Sequence, residues 1–155
     1  MQQWEIDVFE FAHEAHYDQY SNDGRDYFHS HIIPVVNNIK CAITDNGDFS
    51  ETDYRNMVTA GYLHDVLEDC LGKYLKSHNR NITISLIRSE FGPKVLDLVL
   101  EVTHTKKNTF PNLTTREGYI IKYSDRLANL SRPIGKSTPE FIKNYMKGSI
   151  FWKTE

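Results

Sequence analysis

The sequence predicts an all-α protein, and three observations carry that expectation. Apolar residues recur at spacings of three and four nearly throughout. No stretch alternates apolar and polar residues as a half-buried strand does. Capping and turn-forming residues fall at the ends of the periodic runs. Trp4, Val8, Phe11, Ala12 and Ala15 form the apolar stripe of a first helix over about 3–19. QYSNDGRD (19–26) gathers Asn, Asp and Gly and reads as a turn. A second helix over about 28–44 carries Ile32, Val35, Val36, Ile39 and Ile43, with Pro34 in its first turn or at a kink.

TDNGDFS (44–50) is a loop, and Ser50 followed by Asp53 opens a third helix with an acidic first turn. That helix is expected to run to about 71, where Gly72 stops it. KYLKSHNRN (73–81) is a polar, basic connector. Thr83 caps a short helix to 91, and Gly92-Pro93 separates it from another over about 93–103. HTKKNTFPNLT (104–114) is a loop. The stretch 115–131 is helical, with Tyr119, Ile120, Tyr123, Leu127 and Leu130 on its apolar side, and Pro133 and Gly135 break it. Thr138-Pro139-Glu140 reads as a cap, a proline at the first helical position and an acid, opening a last helix to about 152. There is no internal repeat and no linker, so one domain over 1–155 is expected.

Composition narrows the function classes. With 155 residues, 39% apolar and 25% charged, the chain can bury a core and is not of the disordered type. A net charge of −3 argues against nucleic acid as a partner, because such binding depends on Lys and Arg meeting phosphates. Cys41 and Cys70 make neither a disulfide framework nor a CxxC pair and read as reduced thiols. The N-terminus, MQQWEIDVFEF, has no basic region followed by an apolar run, and no apolar run approaches a membrane span. No membrane partner and a cytoplasmic location are expected.

AGYLHDVLEDC (60–70) is the stretch that ordinary packing does not explain. His64 and Glu68 are four apart, Asp65 and Asp69 are four apart, and Asp65 and Glu68 are three apart, so all four crowd one side of a helix end. Three like charges in a partly apolar place are unfavourable unless something compensates them. A divalent cation does so, and imidazole with carboxylate suits Mn, Fe, Zn or Ni. Two further ligands are sought on neighbouring helices. His31 lies at the start of the second helix, with His29 two residues earlier as its rival. Asp125 lies inside the apolar YIIKYSDRLANL. His31, His64, Asp65 and Asp125 make an H…HD…D set from three helices.

That set resembles the signature of the HD superfamily of metal-dependent phosphohydrolases. LHDVLEDC is similar to the HDxxED of one branch, the hydrolase domain of the Rel/Spo-type alarmone enzymes, which includes stand-alone small alarmone hydrolases. IRSEFGPKVLDLVLEVTHT, IIKYSDRLANLSR and HEAHYDQYSNDGRDYFHSHIIPV resemble further segments of that branch, in family order over about 12–132. Ile32 stands where the family has proline. Tyr20 or Ser21 stands where it has an arginine, for which Arg25 is the candidate substitute.

The resemblance implies a compact multi-helix HD-domain bundle and a divalent ion, Mn²⁺ in relatives, held by His31, His64, Asp65 and Asp125. It implies Glu68 and Asp69 as the groups that place the attacking water and move protons, and Asn129, Arg25 and Tyr27 as substrate contacts. The implied substrate is a small nucleotide, (p)ppGpp or a near analogue, cut between the 3′-pyrophosphate and the ribose. Two alternatives stay open. One is phosphohydrolase action on another nucleotide (a dNMP, a dNTP or a 2′-phosphorylated dinucleotide). The other is a non-catalytic module that binds an alarmone. His13, His16, His78 and His104 are read as surface or packing histidines, Trp4, Phe9 and Phe11 as core, and Arg80, Lys106 and Lys107 as solvated.

Overall fold

In the computed structural model, residues 1–46, 48–103 and 113–131 are described. The expected last helix, the breaks at Pro133 and Gly135, and His104, Lys106 and Lys107 lie outside the described residues. The helices are α1 (Gln3–Ala15), α2 (Ile33–Asn46), α3 (Glu51–Leu63), α4 (Val66–Asp69), α5 (Ile84–Phe91), α6 (Pro93–Val102) and α7 (Arg116–Ser131). A π-turn over Phe28–Ile32 leads directly into α2, and a two-residue hairpin, β1 (Tyr74–Leu75) with β2 (Arg80–Asn81), joins α4 to α5. The all-α bundle expected from periodicity is the fold observed. Among the described residues, no helix is long and apolar enough to cross a membrane.

α2 packs against α7 and α3, α3 also against α1 and α6, and α6 against α5 and α7. The core follows the apolar stripes of the helices, except that Leu100 of α6, read with its apolar residues, is exposed. Val8, Phe11, Ala12 and Ala15 of α1 are buried, with Ile32 of the π-turn, Val35, Val36, Ile39 and Ile43 of α2, and Val95, Leu96, Leu98, Val99 and Val102 of α6. Trp4 and Phe9 are half-buried against that core.

The helix starts follow the expected chemistry. Ser50 Oγ accepts from the Asp53 amide at 3.0 Å, and Asp53 accepts from the Ser50 amide at 3.3 Å, a reciprocal capping box. Thr83 Oγ1 accepts from the Leu86 amide at 3.0 Å. Gly92 takes φ +93° between α5 and α6, a conformation that a residue with a Cβ adopts only with strain. α7 is capped by Thr115, whose Oγ1 accepts from the Gly118 amide at 3.0 Å, and is anchored from α6 as well. Glu101 of α6 accepts from the Thr114 and Thr115 amides at 3.1 and 3.0 Å, which sets the direction in which α7 leaves.

Four expectations need correction. The first helix ends at Ala15 and not near 19, because the chain folds back through a loop in which Tyr20 bridges Asp26 and the Tyr27 amide meets the Gln19 carbonyl at 2.9 Å. The expected continuous helix from 50 to about 71 is broken at His64-Asp65. The connector 73–81 contains the small hairpin, whose strands are too short to show alternation. On α7 the buried side runs through Ile121, Ser124, Asp125 and Ala128, while Tyr119, Ile120, Tyr123 and Leu127 are only half-buried. The predicted apolar side was therefore rotated, because it was drawn from apolar residue types alone while the buried positions include Ser124 and Asp125.

One polar contact holds three helices together. Glu5 of α1 is buried and accepts from Lys40 Nζ of α2 at 2.6 Å and from the Tyr62 hydroxyl of α3 at 2.7 Å. Tyr62→Phe keeps the ring and removes one donor from a buried carboxylate. It is expected to destabilise the fold by about 1–3 kcal/mol, read as a lower denaturant midpoint with unchanged slope.

Candidate metal centre

His31, His64, Asp65 and Asp125 meet in the interior, and each offers a ligand atom within 4.8 Å of the others. His31 comes from the π-turn, where the Ile33 amide reaches back to the Phe28 carbonyl. Pro34 follows at once. It brings no N–H, and its ring would crowd the carbonyl four residues earlier, so the widened turn just before it relieves that clash. The result sets His31 against the cluster, 2% exposed. His29 instead faces Asp26 at 2.6 Å and is exposed, so of the two histidines it is His31 that the fold brings to the cluster.

His64 and Asp65 lie at the break between α3 and α4. His64 keeps nearly helical angles (φ −60°, ψ −28°), but Asp65 turns to φ −102°, ψ −2°. This sparsely used backbone region lets two adjacent side chains converge, which a straight helix does not favour. α7 supplies Asp125 from its buried side. There the Asn38 side-chain amide of α2 donates to the Ser124 carbonyl at 3.1 Å and fastens α7 to α2 beside the cluster.

Asp125 Oδ1 lies 2.8 Å from His31 Nε2 and 3.4 Å from His64 Nε2. Asp65 Oδ2 lies 3.1 Å from His64 Nε2 and 3.5 Å from His31 Nε2. His64 Nδ1 is 2.7 Å from the Gly61 carbonyl, so that nitrogen carries a proton and donates. Its Nε2 is buried and has no hydrogen-bond partner. A bare imidazole nitrogen among carboxylate oxygens is a set of converging acceptors, and a divalent cation fits it. The expected ligands are thus brought together, and the cluster could hold a metal ion.

Among themselves, the four groups compensate one another by pairing imidazole with carboxylate. Burial opposes charge on His64, yet Asp65 and Asp125 together hold its basicity well above the ordinary histidine range. Burial pushes Asp65 up, but the neighbouring imidazoles outweigh it and bring the group down to about 2. Asp125 is likewise held well below the carboxylate range, against burial, by His31, His64 and Lys122.

Around the four residues stand groups that orient them. The Tyr27 hydroxyl donates to Asp65 Oδ2 at 2.5 Å, and Lys122 Nζ donates to Asp125 Oδ2 at 3.2 Å. Tyr27, read from the sequence as a substrate contact, is here a partner of Asp65. Burial, with Asp65 beside it, keeps its phenol protonated. Glu68 and Asp69 lie on α4, exposed, one turn beyond the His64-Asp65 pair. Asp69 accepts from the Gln19 side-chain amide at 3.0 Å. Asn129 is exposed one turn after Asp125, and Arg25 is exposed and paired with Asp23 at 2.6 Å.

Sequence reasoning missed Lys122 and Gln19. Lys122 could have been found, since it stands three residues before Asp125 in an apolar helix. Gln19 carries no local signal, because its partner is fifty positions away.

No family model and no curated protein sequence matches the chain. Among solved structures, a metazoan ortholog of SpoT that hydrolyzes ppGpp and plays a role in starvation responses is similar, with a TM-score of 0.62 at 20% identity. The match covers 94% of this chain and 80% of that one. The two chains share a fold.

The geometry makes a metal-binding prediction that needs no substrate. Asp65→Ala is expected to abolish binding of a divalent ion while helical circular dichroism is retained. Tyr27→Phe, which removes only the donor on Asp65, is expected to weaken binding by about 10-fold or more. Calorimetric titration of the metal-stripped protein measures both. Undiminished affinity in Asp65→Ala would sink the metal centre.

Proposed function

We propose that the chain is a metal-dependent phosphohydrolase whose substrate is a (p)ppGpp-type alarmone, cut between the 3′-pyrophosphate and the ribose. The carrying observation is the convergence of two buried imidazoles, the buried Asp125 and the half-buried Asp65, with the His64 Nε2 left without a hydrogen-bond partner. The choice of substrate is supported by the HDxxED and DRLxNL blocks of the sequence and by the shared fold with a protein that hydrolyzes ppGpp.

In this reading His31, His64, Asp65 and Asp125 hold a divalent ion, Mn²⁺ being the expected one. Such an ion, when bound, acidifies a water and offsets the charge of a polyanionic substrate. Lys122 holds the outer oxygen of Asp125 and leaves Oδ1 to face the histidines, while Tyr27 donates to the Asp65 oxygen that itself faces them and so fixes its orientation. Glu68 and Asp69, one turn past the pair, orient the attacking water. They take its proton as its oxygen bonds to phosphorus, and return one to the departing 3′ oxygen. Their exposure suits this work, since substrate and solvent must both reach them. Asn129 lies one turn beyond Asp125, in position to meet the substrate. Arg25 would have to leave Asp23 to do so. The partner is a small nucleotide and not a nucleic acid or a membrane, and the protein works in the cytoplasm.

Incubation of the full chain with ppGpp and Mn²⁺ is expected to yield GDP and pyrophosphate, resolved by chromatography. Release of single phosphates, or turnover only of deoxynucleotides or 2′-phosphorylated dinucleotides in a parallel panel, would overturn the substrate assignment and keep the hydrolase. No turnover of any of them would favour the binding module.

Glu68→Gln keeps the side chain's size and removes its charge. It is expected to retain the ion by elemental analysis while turnover falls by about 10²-fold or more. Loss of the ion together with activity would make Glu68 a ligand instead.

A further inference from the structure

His16 is completely buried where α1 ends, a position that packing alone would fill with an apolar residue. Its Nδ1 lies 2.7 Å from Gln19 Oε1, and its Nε2 is buried with no hydrogen-bond partner. A doubly protonated ring would bury the second N–H without an acceptor, and burial depresses the basicity of this histidine. The ring is therefore neutral with its proton on Nδ1, and it donates to Gln19.

That donation fixes the Gln19 amide. Its oxygen is taken by His16, so its NH₂ must point the other way, where Asp69 Oδ2 accepts at 3.0 Å. The backbone of Gln19 is held as well. Its amide donates to the His16 carbonyl at 3.0 Å, and its carbonyl accepts from the Tyr27 amide at 2.9 Å. An exposed carboxylate ordinarily samples several rotamers, whereas Asp69 meets a donor already set in place.

The geometry points to Gln19 as the positioning residue of Asp69, kept in its donating orientation by His16. This rests on the reading of Asp69 as a group that moves protons in the site. Gln19 touches neither the ligand cluster's oxygens nor the substrate in this scheme; it acts through Asp69.

A double-mutant cycle tests it with ppGpp and Mn²⁺. Gln19→Leu is expected to lower kcat by about 10-fold or more, the scale of a hydrogen bond to a charged group, with KM and metal content unchanged. Gln19→Glu, nearly the same size, is expected to behave alike, because it replaces the donor with an acceptor. Added to Asp69→Asn, neither substitution should reduce kcat further. Additive losses, or full activity in both single variants, would overturn the proposal. Full activity of Asp69→Asn would overturn it too, by removing the role of Asp69.

A second measurement does not depend on the substrate. In the metal-free protein, nitrogen NMR should find His16 protonated at Nδ1 and bare at Nε2, and the Gln19 side-chain amide resonances should move in both Asp69→Ala and His16→Phe. An Nε2-protonated ring, or amide resonances indifferent to either change, would remove the relay whatever the chain hydrolyses.

Discussion

A carboxylate on the buried side of α7 is the constraint from which the site follows. Asp125 is 8% exposed and cannot remain charged there without partners. It takes Lys122 from its own helix, His31 from the turn before α2, and His64 from the end of α3. Each partner forces a local feature. His31 needs the π-turn ahead of Pro34, His64 and Asp65 need the break between α3 and α4, and α7 needs the Glu101 cap and the Asn38 contact to present the correct side. Irregularities that would be defects in a plain bundle are here what brings four side chains from three segments to one point.

Much of this was legible in the sequence, and what was not has physical reasons. Helix periodicity reports which positions face the core, so the second helix was placed with its buried residues. It reports badly where the buried position is polar. On α7 the apolar residues Tyr119, Tyr123 and Leu127 drew the predicted side away from Asp125, although Asp125 had already been singled out as misplaced for a surface residue. The two readings conflicted, and the structure buries Asp125. The break at His64-Asp65 left no trace in propensity, since neither residue is a helix breaker. It exists because two adjacent side chains must converge, which is a tertiary demand.

The loop between α1 and the π-turn was read as turn chemistry, with His16 as a packing residue and Arg25 and Tyr27 as substrate contacts. In the structure it also reaches the acids at the start and end of α4. Gln19 reaches Asp69 and Tyr27 reaches Asp65, and a backbone hydrogen bond from the Tyr27 amide to the Gln19 carbonyl joins the two at their base. Lys73, from beyond α4, closes the other end by donating to the Ala15 carbonyl at 2.7 Å. The Gln19, Tyr27 and Lys73 side-chain contacts could not be read from residue types, because each joins positions tens of residues apart and the side chains involved are ordinary polar ones.

Asp65 and Asp69 show how one helical turn can give two carboxylates different surroundings. The Asp69 amide donates to the Asp65 carbonyl at 2.9 Å, so the two are neighbours on α4's first turn. Burial raises both, but their partners differ. The imidazoles beside Asp65 overcome burial and hold it down to about 2, which suits a ligand that must stay ionised. Asp69 feels burial and the charge of Asp65 in the same direction. The Gln19 amide only partly opposes them, so its pKa rises above the usual carboxylate value. Two acids whose surroundings push them apart are a recurring basis for separating a fixed charge from a proton carrier. Here the separation is made by depth. Asp65 points inward to histidines, Asp69 sits at the rim beside a neutral donor, and the same short loop supplies a hydrogen bond to each.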